Sequence, residues 1–349
     1  MATQTSSPDW RKCFASGRSP PKQQDKVILG TVTLIFTLLD ITVNLLLVVV
    51  TVIGRKKKKL NQVLILSAHM SLAHIGYSIV NTWSSIPSIY SPELLYSNDI
   101  VASATAFLNT PFYLAILFMN ISIAFERFSF FFNLEFHKAF KKTMPLLAWI
   151  AAFVLVFLSE LNGCRKRFNH IIMTYTFECS NCRLAKNFST LDVSFYLAVV
   201  GPGILVALYI FIFIKIFKLK WMTGGYGNGS SSKNAYEIKV LIHFFLICIL
   251  QWINGLMFLK APSILGYTFW NALIINLAGL VNGIVFGFSA FGMSEKLRTQ
   301  LFSLLTANCC GGDRFTFKTE FELLQKREQL SPEFSTHSES RESEDYAVD

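Results

Sequence analysis

Residues 101–125 form a run without a charged side chain, and Glu126 and Arg127 close it. A bilayer core about 30 Å thick is crossed by about 20 helical residues, and a charge near its centre costs roughly 2.5–3.5 kcal/mol on insertion scales. The run therefore predicts a membrane-spanning helix. The acid–base pair marks the membrane face at which that helix ends.

The whole chain is too apolar for a soluble protein of its length. Of its 349 residues, 52% are hydrophobic and only 15% are charged, which is typical of a protein that crosses the membrane several times. The net charge of +10 does not indicate a nucleic-acid partner, because the basic residues stand in short runs beside apolar segments. The expected surroundings are a lipid bilayer.

Six further apolar segments have lengths that suit membrane helices. Together with the first run they predict an all-α membrane protein, a seven-helix bundle with spans at about 27–53, 61–83, 101–125, 144–161, 193–217, 239–259 and 263–288. The polar tail 1–26 does not resemble a cleavable signal peptide, so the first span should act as its own signal. The predicted transmembrane domain is 27–292.

Charges in the loops predict the orientation. Arg55 is followed by four lysines, whereas the loop after span two carries Glu93 and Asp99 but no Lys or Arg. Because cytoplasmic loops collect Lys and Arg, we expect the first loop inside and the N-terminus outside. The basic residues of the tail 1–26 act against this orientation.

The chain after span seven predicts a membrane-surface helix and a disordered tail. Apolar residues repeat at helical spacing over 293–306, which favours a short amphipathic helix on the inner leaflet. Cys309 and Cys310 follow it and are placed for palmitoylation, with unmodified thiols as the alternative. The polar tail 307–349 is rich in Ser and Glu near its end, and its phosphorylation would create an acidic surface for an arrestin.

Polar landmarks recur in order along the spans. They are Asn44 in span one, Glu126, Arg127 and Phe128 at the end of span three, Trp149 in span four, Pro202 in span five and Asn282 in span seven. This pattern resembles the rhodopsin-like superfamily of seven-helix receptors. The runs 123–128, 133–136 and 164–192 are similar, more narrowly, to nematode serpentine chemoreceptors of class X.

The resemblance implies a plasma-membrane receptor that binds a small extracellular molecule and activates a heterotrimeric G protein. Glu126, Arg127 and Phe128 would then form the G-protein coupling site, with Arg127 paired to Glu126 at rest. The predicted ligand-binding residues carry no fixed charge, so we expect a small, neutral, partly apolar ligand. These residues are Asn109, Tyr113, Trp252 and Asn276.

The chain departs from the superfamily pattern at two positions near the spans' ends. Ala102 stands where span three usually begins with a cysteine, so the resemblance implies a bridge between Cys164 and Cys182 inside the second external loop. Span seven reads Asn-Gly-Ile-Val-Phe at 282–286, where Asn-Pro-x-x-Tyr is usual. Span seven also lacks the lysine that binds retinal, which excludes an opsin.

No arrangement of residues predicts catalysis. Ser, His and Asp are scattered among the spans without nucleophile or metal spacing, so no enzyme activity, cofactor or metal is expected. Cys179 and Cys182 form a lone CxxC, which favours a loop disulfide over a metal site. Asn187 begins the one glycosylation sequon placed on an external loop.

Asp40 lies at the midpoint of span one, where ionisable groups are rare unless they are paired. His74 lies at nearly the same depth in span two, and Asn282 of span seven can complete an intramembrane polar cluster. Two arrangements stay open from the sequence. Asp40 pairs with His74, or it is protonated and bonds a backbone carbonyl.

A seven-helix transporter or ligand-gated channel is the alternative function. Transporters often contain internal repeats and broken helices, and the two halves of this chain show no repeat. Receptor channels of the insect olfactory kind have a cytoplasmic N-terminus. The side of the membrane on which the N-terminus lies therefore separates the two functions.

Overall fold

The structure is a computed structural model that describes residues 21–55, 62–90, 99–132, 138–169, 171–177, 182–185, 188–222, 231–266, 268–294 and 297–302. Within these ranges, seven helices are long and apolar enough to cross a membrane. The predicted seven-helix fold class is confirmed. Several predictions concern residues outside the described part, namely the tails 1–20 and 303–349, four lysines of the first loop, Asn187, Cys309 and Cys310.

The helices are numbered here as spans one to seven. Five spans are single helices: span one is Gln23–Arg55, span three is Asp99–Phe131, span four is Lys138–Leu161, span six is Ser231–Leu265 and span seven is Phe269–Met293. Span two is a helix at Gln62–Val80, a π-helical turn at Asn81–Ser85 and a short helix at Ile86–Tyr90. Span five is a short helix at Thr190–Phe195, a π-helical turn at Tyr196–Val200 and a helix at Gly201–Met222. All seven lie in a compact unit of residues 1–300.

Span seven begins later than the sequence predicts. Span six continues through Pro262 to Leu265 and ends at Gly266, whose φ of 64° is a conformation that glycine adopts readily. Thr268 then caps span seven, because its Oγ1 accepts a hydrogen bond from the Asn271 amide at 3.3 Å. After span seven, a short helix covers residues 297–302, within the predicted eighth helix.

A β-hairpin lies against one end of the bundle, which we call the hairpin end. Strands β1 (Lys166–Asn169) and β2 (Thr174–Phe177) pair antiparallel. At the turn between them, Asn169 Oδ1 accepts hydrogen bonds from the amides of Ile171 and Ile172 at 2.9 and 3.3 Å. Met173 completes the turn with a φ of 54°.

The hairpin is packed into the bundle by its apolar face. Phe168 and Tyr175 are register partners, so both side chains lie on the same face, and their rings meet edge to face at 5.3 Å. This pair belongs to a buried cluster that also contains residues of spans one, three and seven, namely Leu29, Ala106 and Ala272. The hairpin therefore covers the hairpin end rather than projecting from it.

A disulfide holds the rest of this loop. Cys164, two residues before the start of β1, is bonded to Cys182, directly before strand β3 (Arg183–Ala185), with 4.8 Å between the Cα atoms. This is the pairing that the receptor resemblance implies. Strand β3 pairs with strand β4 (Phe188–Ser189), which leads into span five.

Spans five and six approach closely beside Pro202. Because proline has no N–H, Pro202 cannot donate a hydrogen bond to the carbonyl of Ala198, four residues earlier. The π-helical turn of span five ends at Val200, two residues before Pro202. The Ala198 carbonyl oxygen lies against Gly255 of span six, so closely that a methyl group at Gly255 would overlap with it. Glycine at residue 255 is therefore a condition of this helix contact.

We expect Gly255→Ala to lower the thermal stability of the purified protein. In a helix, alanine is normally more stable than glycine by about 1 kcal/mol, so helix propensity alone would raise the stability of the variant. The overlap with span five would lower it, and the sign of the measured change therefore shows which effect is larger. Gly292→Ala is the matched control, because no atom lies within 4 Å of a methyl group at that helical position. A Gly255→Ala protein as stable as the parent would contradict the close approach.

Candidate functional site

A cavity of about 430 Å³ lies beneath the hairpin. Spans two to seven form its walls, and Cys164, Lys166, Thr174 and Tyr175 of the hairpin loop close it on one side. Most of the lining side chains are apolar or aromatic, with a few amides and hydroxyl groups among them. Volume and lining are those of a site for a small organic molecule.

Three of the four predicted ligand-binding residues line this cavity. Asn109 and Tyr113 face it from span three, and Asn276 faces it from span seven. Trp252 does not line it, contrary to the prediction, and its indole lies against Gly203 of span five. Span six instead contributes Asn254, Gly255, Phe258 and Leu259.

Asn109 and Asn276 hold the hairpin to the bundle. Lys166 Nζ donates to Asn109 Oδ1 at 3.0 Å, and Asn109 Nδ2 donates to Asn81 Oδ1 of span two at 3.4 Å. On the other side, Asn276 Nδ2 donates to the Met173 carbonyl at 2.7 Å. Both residues therefore connect the cavity wall to the segment that covers it.

Lys166 is the functional candidate that sequence reasoning missed. It lines the cavity, and its Nζ lies 5.2 Å from the ring centroid of Tyr175 and 5.6 Å from that of Phe258. Burial lowers the pKa of Lys166 to about 8. The spacing Lys-x-Phe at residues 166–168 could have indicated that Lys166 faces the bundle. Residues two apart on a strand lie on the same face, and the apolar Phe168 has to face the bundle.

A second polar site lies in the middle of the bundle around Asp40. Its Oδ1 accepts a hydrogen bond from Asn44 Nδ2 at 2.7 Å, and its Oδ2 accepts one from Ser78 Oγ of span two at 2.5 Å. Asn44 Nδ2 also lies 3.2 Å from the Gly283 carbonyl of span seven. The cluster thus joins spans one, two and seven.

Of the two arrangements that the sequence leaves open for Asp40, the pairing with His74 is not formed in the structure. Neither ring nitrogen of His74 has a hydrogen-bond partner in the described part of the chain, and the ring stacks on Phe286 at 5.5 Å. Ser78 lies one turn further along the same face of span two and reaches the carboxylate instead. Asn282 is buried beside this cluster, but no hydrogen bond joins it to Asp40 among the described residues.

Gly283 of span seven lies directly against polar groups of spans one and two. A methyl group there would overlap with Asp40 Oδ1 and would lie 2.6 Å from His74 Nδ1. The glycine therefore admits the polar groups of spans one and two close to the backbone of span seven.

The opposite end of the bundle, which we call the Arg127 end, contains the predicted coupling residues. Arg127 Nε donates to Glu126 Oε2 at 2.8 Å, and the Arg127 side chain is only 2% exposed. Phe128 stacks on Phe132 at 4.3 Å, and Phe132 stacks on Phe211 of span five at 5.5 Å. The structure thus contains the pairing of Arg127 with Glu126 that was expected from the sequence.

A buried amide pair lies between the cavity and Arg127. Asn120 Nδ2 of span three donates to Gln251 Oε1 of span six at 2.5 Å, and both side chains are at most 1% exposed. Sequence reasoning did not find this pair, because Asn120 is two turns from Arg127 and nothing in the sequence indicates which span six residue faces it. The pair ties spans three and six together at mid-depth.

Two of three comparisons with known proteins found a match. A family model described as "Protein of unknown function (DUF621)" matches residues 19–313. The crystal structure of squid rhodopsin is similar to this chain with a TM-score of 0.66 and 12% sequence identity, over 90% of this chain and 94% of that chain. Identity this low shows a shared fold. No curated protein matches the chain in sequence.

We expect Ser78→Ala to destabilise the protein more than His74→Phe. The first change removes the donor to Asp40 Oδ2, and a buried polar atom left without its partner costs about 1–3 kcal/mol. The second keeps a ring against Phe286 and removes two nitrogens that make no hydrogen bond. Thermal unfolding of the purified variants measures both. A larger loss for His74→Phe would contradict the assignment of Ser78 as the partner of Asp40.

Proposed function

The chain belongs to the DUF621 family of proteins of unknown function, and we propose that it is a G-protein-coupled receptor for a small molecule. The observation that carries the proposal is the arrangement along span three. A ligand-sized cavity lies at the hairpin end, and the Glu126–Arg127 pair, with Arg127 buried, lies at the other end of the same helix. The rhodopsin fold is consistent with both roles.

The proposed mechanism is a shift between two arrangements of the bundle. A ligand in the cavity favours an arrangement in which spans three and six part at the Arg127 end, and Arg127 leaves Glu126 for backbone carbonyls of the G protein. The Asn120–Gln251 bond lies between these sites and favours the resting arrangement. Reciprocal coupling requires that a bound G protein also tightens ligand binding.

The finer parts of the proposal concern cellular context. We place the receptor in the plasma membrane with its N-terminus outside, and we propose a chemosensory role because of the runs that are similar to class X chemoreceptors. Of these runs, 123–128 lies in the described part of span three and 133–136 does not. Glycosylation at Asn187, palmitoylation at Cys309 and Cys310 and binding of arrestin to the tail 307–349 belong to the same proposal.

An N-terminal epitope tag tests the orientation. We expect antibody to label the tag on intact cells, because a receptor must present the hairpin end to the extracellular side. A tag on the C-terminus should be labelled only after permeabilisation. Labelling of the N-terminal tag only after permeabilisation would favour the ligand-gated channel.

We expect Arg127→Ala to abolish G-protein activation while surface expression is largely retained. Arg127 does not line the cavity and lies towards the opposite end of span three, so its removal should leave the cavity intact. Basal nucleotide exchange on G proteins co-expressed in a panel, normalised to surface protein, gives the measurement without a known ligand. Lys218→Ala is the control, because Lys218 is an exposed cation near the same end of span five. Equal exchange in Arg127→Ala and the parent would overturn the role of Arg127.

A further inference from the structure

We propose that the molecule bound in the cavity is a small organic acid, with its carboxylate at Lys166 and its apolar body against the aromatic wall. The inference rests on the proposed function only in treating the cavity as a ligand site. It replaces the neutral ligand that the sequence predicted, because that prediction did not include Lys166.

The charge of Lys166 has no counter-charge in the described part of the chain. Its contacts there are one hydrogen bond to Asn109 Oδ1 at 3.0 Å and the faces of Tyr175 and Phe258. A lysine ammonium has three N–H donors, so two of them are left for a further acceptor. Since Lys166 lines the cavity, that acceptor can be a group of a bound molecule.

Placing an ammonium among rings and amides costs free energy, and an anion offsets this cost. The pKa of Lys166, lowered to about 8 by burial, reflects the same cost, but the group is still mostly protonated at neutral pH. Lysines on exposed strands usually extend their stem so that the ammonium reaches water. Here the docking of Phe168 fixes the strand, and the ammonium is held at Asn109 instead.

The other charged group of the cavity wall is already compensated. Glu160 lines the cavity from the end of span four, and its Oε2 lies 3.7 Å from Arg165 Nε. Arg165 stands outside the cavity lining with its side chain half exposed. An incoming anion therefore meets one uncompensated cation among the described lining residues.

The single cation favours a carboxylate over a phosphate. A phosphate ester has up to two charges and three strong acceptor oxygens, and protein sites for it usually supply arginine forks or several backbone amides. The cavity wall supplies one ammonium, and the neighbouring surface is aromatic, from Phe107, Tyr113, Tyr175 and Phe258. An aryl or alkyl group fits that surface, so the proposed class is a monocarboxylic acid with an apolar body.

The test uses purified full-length protein in lipid nanodiscs and two probe acids, phenylbutyrate and octanoate, each with its amide. Affinity is measured by isothermal calorimetry at neutral pH. We expect each acid to bind about ten-fold or more tightly than its amide, which is the effect of one hydrogen bond to a charged group. Lys166→Gln should remove this preference, because glutamine can still donate to Asn109 but carries no charge.

Two control variants make the result specific. Lys166→Arg keeps the charge and should keep part of the preference for the acid, whereas Lys260→Gln removes an exposed cation near the same end of span six and should change nothing. The thermal stability of ligand-free Lys166→Gln should equal or exceed that of the parent, because an uncompensated charge has been removed. A clear loss of stability would show that the lysine is a structural element of the hairpin and would overturn the proposal.

The outcomes separate this inference from the receptor function. Binding is read without a G protein, so Arg127→Ala, which no longer has the resting pair with Glu126, should bind the acids at least as tightly as the parent does even though it does not signal. Equal affinity for acid and amide, an acid preference that survives in Lys166→Gln, or no binding of either acid would each overturn the anionic ligand. None of these results would affect G-protein activation as measured by nucleotide exchange.

Discussion

The rest of the structure depends on the absence of water inside a bilayer. A polar group within the spans has to find its partner in the bundle, so each such group fixes the position of a neighbouring helix. Asp40, with no exposed surface, is satisfied by Asn44 of its own helix and by Ser78 of span two. Asn120 and Gln251 do the same for spans three and six. These few hydrogen bonds set which faces of the spans meet, because apolar faces in lipid have little preference for one another.

Small residues allow those contacts to form. Gly283 lets the polar groups of spans one and two reach the backbone of span seven, and Gly255 admits the Ala198 carbonyl beside Pro202. Each glycine is unfavourable for a helix by about 1 kcal/mol relative to alanine. Close backbone approach offsets this cost where van der Waals packing and hydrogen bonds, rather than exclusion of water, hold helices together. At Gly283 and Gly255 the missing side chain therefore acts by letting neighbouring groups come close to the helix backbone.

Hydropathy predicted the seven spans because the length of an apolar segment can be read from its own residues, without knowledge of the neighbouring helices. Depth also followed from the sequence, since Asn109, Tyr113 and Asn276 reach one cavity. Rotation about each helix axis did not. Trp252 turns toward span five, where a π-helical turn shifts the facing surface, and His74 lies at the depth of Asp40 without bonding to it. Such angles depend on contacts between helices that a single sequence does not specify.

The hairpin that covers the cavity is bonded to spans three and seven. Lys166 is linked through Asn109 to span three, and Met173 is linked through Asn276 to span seven. Eighteen residues separate Asn109 from Arg127, which at 1.5 Å per residue is about 27 Å along one helix. An anion at Lys166 would add a partner to this link between the hairpin and span three, because the ammonium can bind it and Asn109 together. A helix transmits a small displacement at such a link as a rotation or shift of the whole element, so the ligand and the Glu126–Arg127 pair need no contact to affect each other.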